Sequence, residues 1–256
     1  MVDPRRQEGF LAAGGALEPA RLTGGFHLSM SGSQNGRAER SLSVESVMDV
    51  ARTILWPEPG HEQATKIDDV EAARAHEYSL LAMLLTRSPD APTLSRIAEL
   101  RGDTTPLGRA HLALAQAAGN ANAEIIEREF FNLFIGVGRG ELLPYGSYYL
   151  TGFLNERPLV RLRQDLHANG IERVEGQIEP EDHVATLCEV MAGFASGQFA
   201  AAPGMQQLFF ERHLAPWVGQ FFVDLERAEA ADFYRYVGAI GSLYIETEAK
   251  AFALPA

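Results

Sequence analysis

From about Asp68 onward, apolar residues recur every three or four positions with polar residues between them, the pattern of amphipathic helices packed on a common core. Tyr78, Leu81 and Leu85 form one stripe over roughly 68–87, which Ser88-Pro89 ends. A short helix is predicted near 92–101. Pro106 leads another to about Ala118, where Gly119-Asn120 stops it. Residues 121–135 follow, with Ile126, Phe130, Leu133 and Phe134 inward. Pro158 opens a helix carrying Leu159, Leu162 and Leu166, and Asn169-Gly170 closes it. Pro180 is placed to pre-set the first turn of the next helix, whose Val184, Leu187, Met191 and Phe194 predict one buried face. A long helix near 204–226 and a last one near 229–248 complete the series.

No convincing strand appears. Ile171 to Ile178 is the nearest candidate, and it is interrupted by Glu172, Glu175 and Gly176. There is no internal repeat. The predicted fold class is therefore all-α, a bundle of helices on short connections. Residues 1–40, rich in Gly, Ser and Arg, predict a disordered N-terminal extension, with Met30 and Met48 as alternative starts. Residues 42–56 could form a short helix. The helical domain is placed at 41–256, with an N-terminal helical part at 68–135 and a C-terminal one at 158–250. Between them, residues 136–157 are rich in glycine and tyrosine and long for a bundle loop. They predict a hinge, with Gly136, Gly138 and Pro144 as its pivots.

Composition narrows the function classes. The 256 residues carry 46% hydrophobic and 22% charged residues, enough for one substantial core or two small ones. A net charge of −12 argues against nucleic acid as a partner and suits a basic peptide. No apolar run is long enough for stable membrane insertion. The single cysteine, Cys188, excludes an intramolecular disulfide and a four-thiolate metal site, and it reads as a packed apolar residue. Arg5-Arg6 followed by Phe10-Leu11-Ala12-Ala13 superficially resembles a twin-arginine export signal. The apolar stretch is short, contains Gly14-Gly15 and stops at Glu18-Pro19, so a cytoplasmic location is expected.

The densest chemistry lies in Glu179-Pro180-Glu181-Asp182-His183, at a predicted helix start. Acids there favour the positive end of the helix dipole, and Asp182 and His183 are expected to stay accessible. Adjacent helical residues point about 100° apart, so Asp182 and His183 cannot readily share one ion. A di-iron bundle would want Glu-x-x-His motifs on two helices, and only Glu58-Pro59-Gly60-His61 has that spacing, in a loop set by its proline and glycine, so no metal is assigned. Ser147 lies in Tyr145-Gly146-Ser147-Tyr148-Tyr149, which lacks the strand–turn–helix setting of a nucleophile elbow, so no catalytic residue is assigned. Gly136-Val137-Gly138-Arg139-Gly140 lacks the lysine of a phosphate loop and follows no strand. His213 and Trp217 share one face of the long helix, with His213 expected at the core edge.

Four segments in order resemble the TorD/DmsD family of molybdoenzyme maturation chaperones. They are Glu129-Phe130-Phe131-Asn132-Leu133-Phe134-Ile135-Gly136-Val137-Gly138; Leu143-Pro144-Tyr145-Gly146-Ser147-Tyr148; Glu179 to His183; and Gln207 to Trp217. The resemblance covers about 68–250. Val137 stands where the family often has proline, and Gly146 where an acid often precedes the serine. It implies a cytoplasmic, non-enzymatic chaperone with no cofactor of its own. Its partner would be the twin-arginine signal region, or the apo form, of a molybdopterin oxidoreductase. Glu179, Pro180, Glu181, Asp182, His183, Ser147, Tyr148 and Tyr145 are the expected client-peptide residues, with Phe134, His213 and Trp217 supporting the groove. An adaptor for a non-exported molybdoenzyme subunit, or a weak nucleotide-binding maturation factor, is the alternative. The 136–157 hinge allows a monomer or a domain-swapped homodimer.

Overall fold

The computed structural model describes residues 28–30, 69–173 and 179–254. The elements are β1 (Leu28–Met30), α1 (Asp69–Thr86), α2 (Ala91–Ile97), α3 (Pro106–Gly119), α4 (Ala123–Phe130), α5 (Gly146–Thr151), α6 (Arg157–Ala168), β2 (Ile171–Arg173), α7 (Val184–Ala195), α8 (Met205–Phe209), α9 (Val218–Arg227) and α10 (Tyr234–Phe252). One π-helical turn, Phe131–Ile135, extends α4, and another, Phe210–Leu214, extends α8. The all-α reading holds, and the helices end where local chemistry stops them. Asp90, Thr105 and Asn122 each accept a backbone N–H of the following turn as N-caps of α2, α3 and α4.

Helix α7 is the centre. All of its residues are buried, against the expectation of a single buried face. It makes its largest contact with α1, while α9 and α3 pack on α10. The helices before and after the 136–157 segment therefore share one continuous apolar cluster, from Leu81 and Leu114 to Leu159 and Phe222. Each large apolar side chain buried there contributes about 1.5–3 kcal/mol. Polar ties cross the same boundary. Glu248 of α10, 2% exposed, takes a bidentate contact from Arg74 and the Tyr78 hydroxyl of α1.

Two acids fasten the C-terminal helices from a distance. Buried Glu129 of α4 accepts the backbone N–H groups of Asp232, Phe233 and Tyr234 at 2.9, 3.0 and 2.7 Å, capping the start of α10. Glu141 does the same for Glu229 and Ala230.

Four expectations are corrected. Leu28–Met30 pair antiparallel with Ile171–Arg173, giving a two-stranded ribbon where the sequence suggested no strand, and where 1–40 was read as disordered. Three residues per strand are too few for a period of two to register. The rest of 1–40, the 42–56 helix and the choice of start residue lie outside the described residues. The 136–157 segment contains α5, ended by Gly152 at φ 81°, so it is not a plain loop. Helix α7 begins at Val184, not at Pro180, because His183 is held extended at φ −64°, ψ 137°. The long 204–226 helix is broken at Ala215–Trp217, since Pro216 has no N–H for the ladder. The His213 carbonyl there accepts the Trp217 indole N–H at 2.7 Å.

Glu129→Ala should lower unfolding free energy by about 2–3 kcal/mol in urea titrations, since it strands several N–H groups near the core. Glu129→Gln, which keeps an acceptor, should cost less.

Burial on α7 also pushes the Glu189 carboxyl up from 4.5 to about 8. The folded chain thus holds this proton after the unfolded chain has lost it, and the Glu189 contribution to stability falls as pH rises from about 4.5 through about 8. Glu189→Gln should flatten that slope and raise the urea midpoint most on the alkaline side.

Candidate functional site

The site is built on a short antiparallel bridge between Tyr145 and His183. Gly146 N–H donates to the Asp182 carbonyl and Val184 N–H to the Pro144 carbonyl, both at 2.9 Å. This clasp sets the starts of two helices. Tyr145 offers no side-chain cap to α5, and the Asp182 carboxylate supplies it, accepting Ser147 N–H at 2.6 Å. His183 caps its own helix: Nδ1 accepts Ala185 N–H at 3.1 Å. The flanking acids tighten the joint. The Glu181 carboxylate pairs with Arg163 of α6 at 2.8 Å, and Glu179 accepts the Tyr145 hydroxyl. The Tyr145 ring meets the His183 ring edge-on at 5.1 Å.

The expectation of an accessible, anionic helix mouth is therefore corrected. Glu181, Asp182 and His183 are 8%, 3% and 7% exposed. They are buried because the bridge folds residues 144–147 over them, a contact between segments 35 residues apart that no local pattern displays. Burial pushes the His183 imidazole from 6.5 to about 3, so it is neutral at physiological pH. Burial, with Asp182 nearby, raises the Glu179 carboxyl.

Beside the clasp, between α5, α6 and the Phe210–Trp217 turn, lies a cleft of about 350 Å³. That is the low end for a ligand pocket, room for one or two side chains. Leu150, Leu162, Leu187 and Trp217 give it apolar lining, and Asp165, Asp182, Arg161 and Arg212 give it charged lining of both signs. Asp165 accepts from His213 Nε2 at 2.8 Å and pairs with Arg212 at 3.3 Å. Burial pushes the His213 imidazole down, and Asp165 opposes this. The second Asp182 oxygen, Oδ1, is buried with no hydrogen-bond partner, as is Ser147 Oγ. Such orphaned acceptors are uncommon in native interiors.

Gly146 lines this cleft, and a Cβ there would lie 3.0 Å from the Trp217 indole nitrogen. That close approach explains why glycine, and not an acid, precedes Ser147. Of the remaining expected residues, Trp217 and His213 line the cleft. Tyr148 instead turns to Arg139, which bonds its hydroxyl at 2.7 Å and stacks on its ring. Phe134 packs against Phe130 and Tyr234, away from the cleft. Gly136 and Gly138 adopt φ of 63° and 88°, which turn the chain out of the Phe131–Ile135 turn, while the Pro144 carbonyl is tied down by Val184. Asp165, Arg161, Arg212, Leu150, Leu162 and Leu187 escaped the sequence reading as site residues. The one available signal was the i, i+4 pairing of Arg161 and Asp165 beside the Leu162 stripe. Among the described residues no cluster of His, Cys, Asp and Glu is placed to hold a metal ion, and no helix is long and apolar enough to cross a membrane.

The body is all-helical, with a buried acid–histidine clasp beside a small cleft of mixed polar and apolar lining. The family model described as nitrate reductase delta subunit matches residues 101–223, which hold the whole clasp and cleft. The Vibrio cholerae chaperone protein TorD is 27% identical over 146 residues, 53% of this chain and 66% of that protein. A Haemophilus influenzae protein described as a Tat proofreading chaperone, DmsD, is 30% identical over 124 residues, 48% of this chain and 58% of its own. The chain thus spans less than two thirds of the length of these relatives. A solved Archaeoglobus fulgidus structure described as a redox enzyme maturation protein aligns with a TM-score of 0.43 at 18% identity, over 74% of this chain and 99% of the other. The chain is thus similar to the TorD and DmsD chaperones over about half of its length.

The buried, neutral His183 generates a prediction. The unfolded chain takes up its proton as pH falls below 6.5, and the folded chain does not until about 3, so this residue's contribution to stability is lost across that window. His183→Asn, which keeps a capping acceptor but does not titrate, should flatten the fall in urea midpoint between those pH values.

Proposed function

We propose that the protein is a cytoplasmic, non-enzymatic maturation chaperone that binds the arginine-bearing N-terminal segment of a molybdopterin oxidoreductase and assists its assembly. The observation that carries this reading is the cleft. Two carboxylates, Asp165 and Asp182, line it together with Arg161, Arg212 and the apolar Leu150, Leu162, Leu187 and Trp217. A guanidinium supplies charge-assisted donors for such acceptors, and its apolar neighbours in sequence fill the other wall. Arg212 does not block this. Its side chain is 54% exposed and its 3.3 Å contact to Asp165 is worth about 0–1 kcal/mol, so an incoming arginine can displace it. Glu179, Glu181 and His183 then act by fixing the cleft wall rather than by gripping the peptide directly. The relatives' description as chaperones supports the same reading.

A second reading has its own support: an adaptor holding a non-exported molybdoenzyme subunit, which the nitrate reductase delta subunit model favours. Both readings use one cleft and differ in the client. A dimer exchanging halves across 136–157 would close the α1–α7 packing and the Arg74–Glu248 and Glu129–Tyr234 contacts between two chains instead of within one.

A synthetic peptide with an Arg-Arg pair followed by a Leu/Ala run should bind in isothermal titration calorimetry. Asp165→Asn and Asp182→Asn should each weaken it about tenfold, as expected for loss of a charge-assisted contact worth ~1.4 kcal/mol. A Lys-Lys version of the peptide should also bind more weakly. Unchanged affinity in both variants would sink the reading.

A further inference from the structure

The four charges that line the cleft are not equally open. Asp182 is 3% exposed, and its carboxylate is committed to the Ser147 N–H at the start of α5. Asp165 is partly open, with a side chain 30% exposed, and His213 Nε2 and Arg212 already contact it at 2.8 and 3.3 Å. The Arg212 side chain is 54% exposed. Arg161 is exposed, and none of the ion pairs among the described residues uses it. The cleft therefore turns two guanidinium groups to solvent against one shared carboxylate, a locally positive spot on a chain of net charge −12. Arg161 precedes Asp165 by one turn of α6, and Arg212 reaches the same carboxylate from the Phe210–Leu214 turn. An arginine arriving alone would displace Arg212 from Asp165. It would leave Arg212 and Arg161 as unpaired like charges beside an apolar lining, which is unfavourable.

We propose that the cleft reads a basic and an acidic residue of its client together: the client's guanidinium takes Asp165, and its carboxylate takes Arg212 and Arg161. This rests on the reading of the cleft as the client-peptide site, and it adds the requirement of an acid close to the arginine. The exchange conserves ion pairs. In the free protein Arg212 holds Asp165, and in the complex each finds a new partner, so no charge is stranded. Arg212 and Asp165 stand 3.3 Å apart, so the client's two charged groups must be near neighbours in its chain. A cavity of about 350 Å³, with room for one or two side chains, imposes the same limit. Selectivity follows from this pairing. A run of basic residues is attracted at long range by the acidic chain, yet it lacks the acid and is disfavoured at the cleft.

The test uses the full chain and synthetic peptides with an Arg-Arg pair and a Leu/Ala run, read by calorimetry. Three peptides carry one Asp, placed before the pair, directly after it, or one residue further on. Three controls carry Asn at the same places. At least one Asp peptide should bind about tenfold more tightly than its Asn control, the gain of a charge-assisted contact. General attraction to an acidic chain would give the opposite order, since Asp lowers the positive charge of the peptide. In the Arg161→Gln/Arg212→Gln variant the preference for Asp should vanish. Arg212→Gln alone should bind the Asn controls more tightly than the unaltered chain does, because Asp165 is freed, and should shrink the gain from Asp. Equal affinity within every Asp and Asn pair, with Asp165→Asn still weakening both, would overturn the paired recognition and leave the proposed function standing. A gain from Asp that survives in the double variant would place the acid elsewhere and overturn it as well. Failure of every peptide to bind would overturn both.

Discussion

The bridge between Tyr145 and His183 is the constraint on which the site depends. It brings together two residues separated by α5, α6 and strand β2, and it gives one short motif four mechanical tasks. Asp182 caps α5, His183 caps α7, Glu181 anchors α6 through Arg163, and Glu179 holds the Tyr145 hydroxyl. Because α7 is the buried centre of the bundle, anything fixed to its first turn is fixed to the core. The cleft wall formed by Gly146, Leu150, Leu162 and Asp165 therefore stands on a rigid base rather than on a free loop.

That arrangement redistributes the roles of the acidic residues. An exposed cluster of carboxylates would attract any cation and discriminate poorly. Here the carboxylates of the motif are committed internally, and the acceptor that the cleft offers is Asp165, shared with His213 and a loosely held Arg212. Few fixed acceptors beside an apolar wall favour a planar guanidinium followed by apolar side chains over a diffuse positive charge.

The all-helical class and most helix positions were legible because they follow from local periodicity and from stop signals such as Gly119-Asn120 and Asn169-Gly170. The ends were less so. Pro180 looks like a first-turn proline, yet a tertiary bridge keeps His183 extended and delays the helix to Val184. The break at Pro216 was present in the sequence, but the apolar stripe on either side of it spans the gap. The ribbon, the capping roles of Glu129 and Glu141 and the burial of Asp182 all arise from contacts distant in sequence, which periodicity does not encode. The motif itself was visible as a concentration of chemistry, and its family resemblance followed from the residues. What it does mechanically, and the part taken by Asp165 and Arg212, needed the fold.

Hydrogen exchange resolved along the chain tests the central claim most directly. The amides of Gly146, Ser147 and Val184, which carry the clasp, should be strongly protected in the free protein. Adding the N-terminal peptide of a molybdopterin oxidoreductase should then raise protection in 146–165, 182–187 and 212–217. Peptide-dependent protection confined to another face, such as α3, or a clasp whose amides exchange as fast as the exposed turns, would contradict the account.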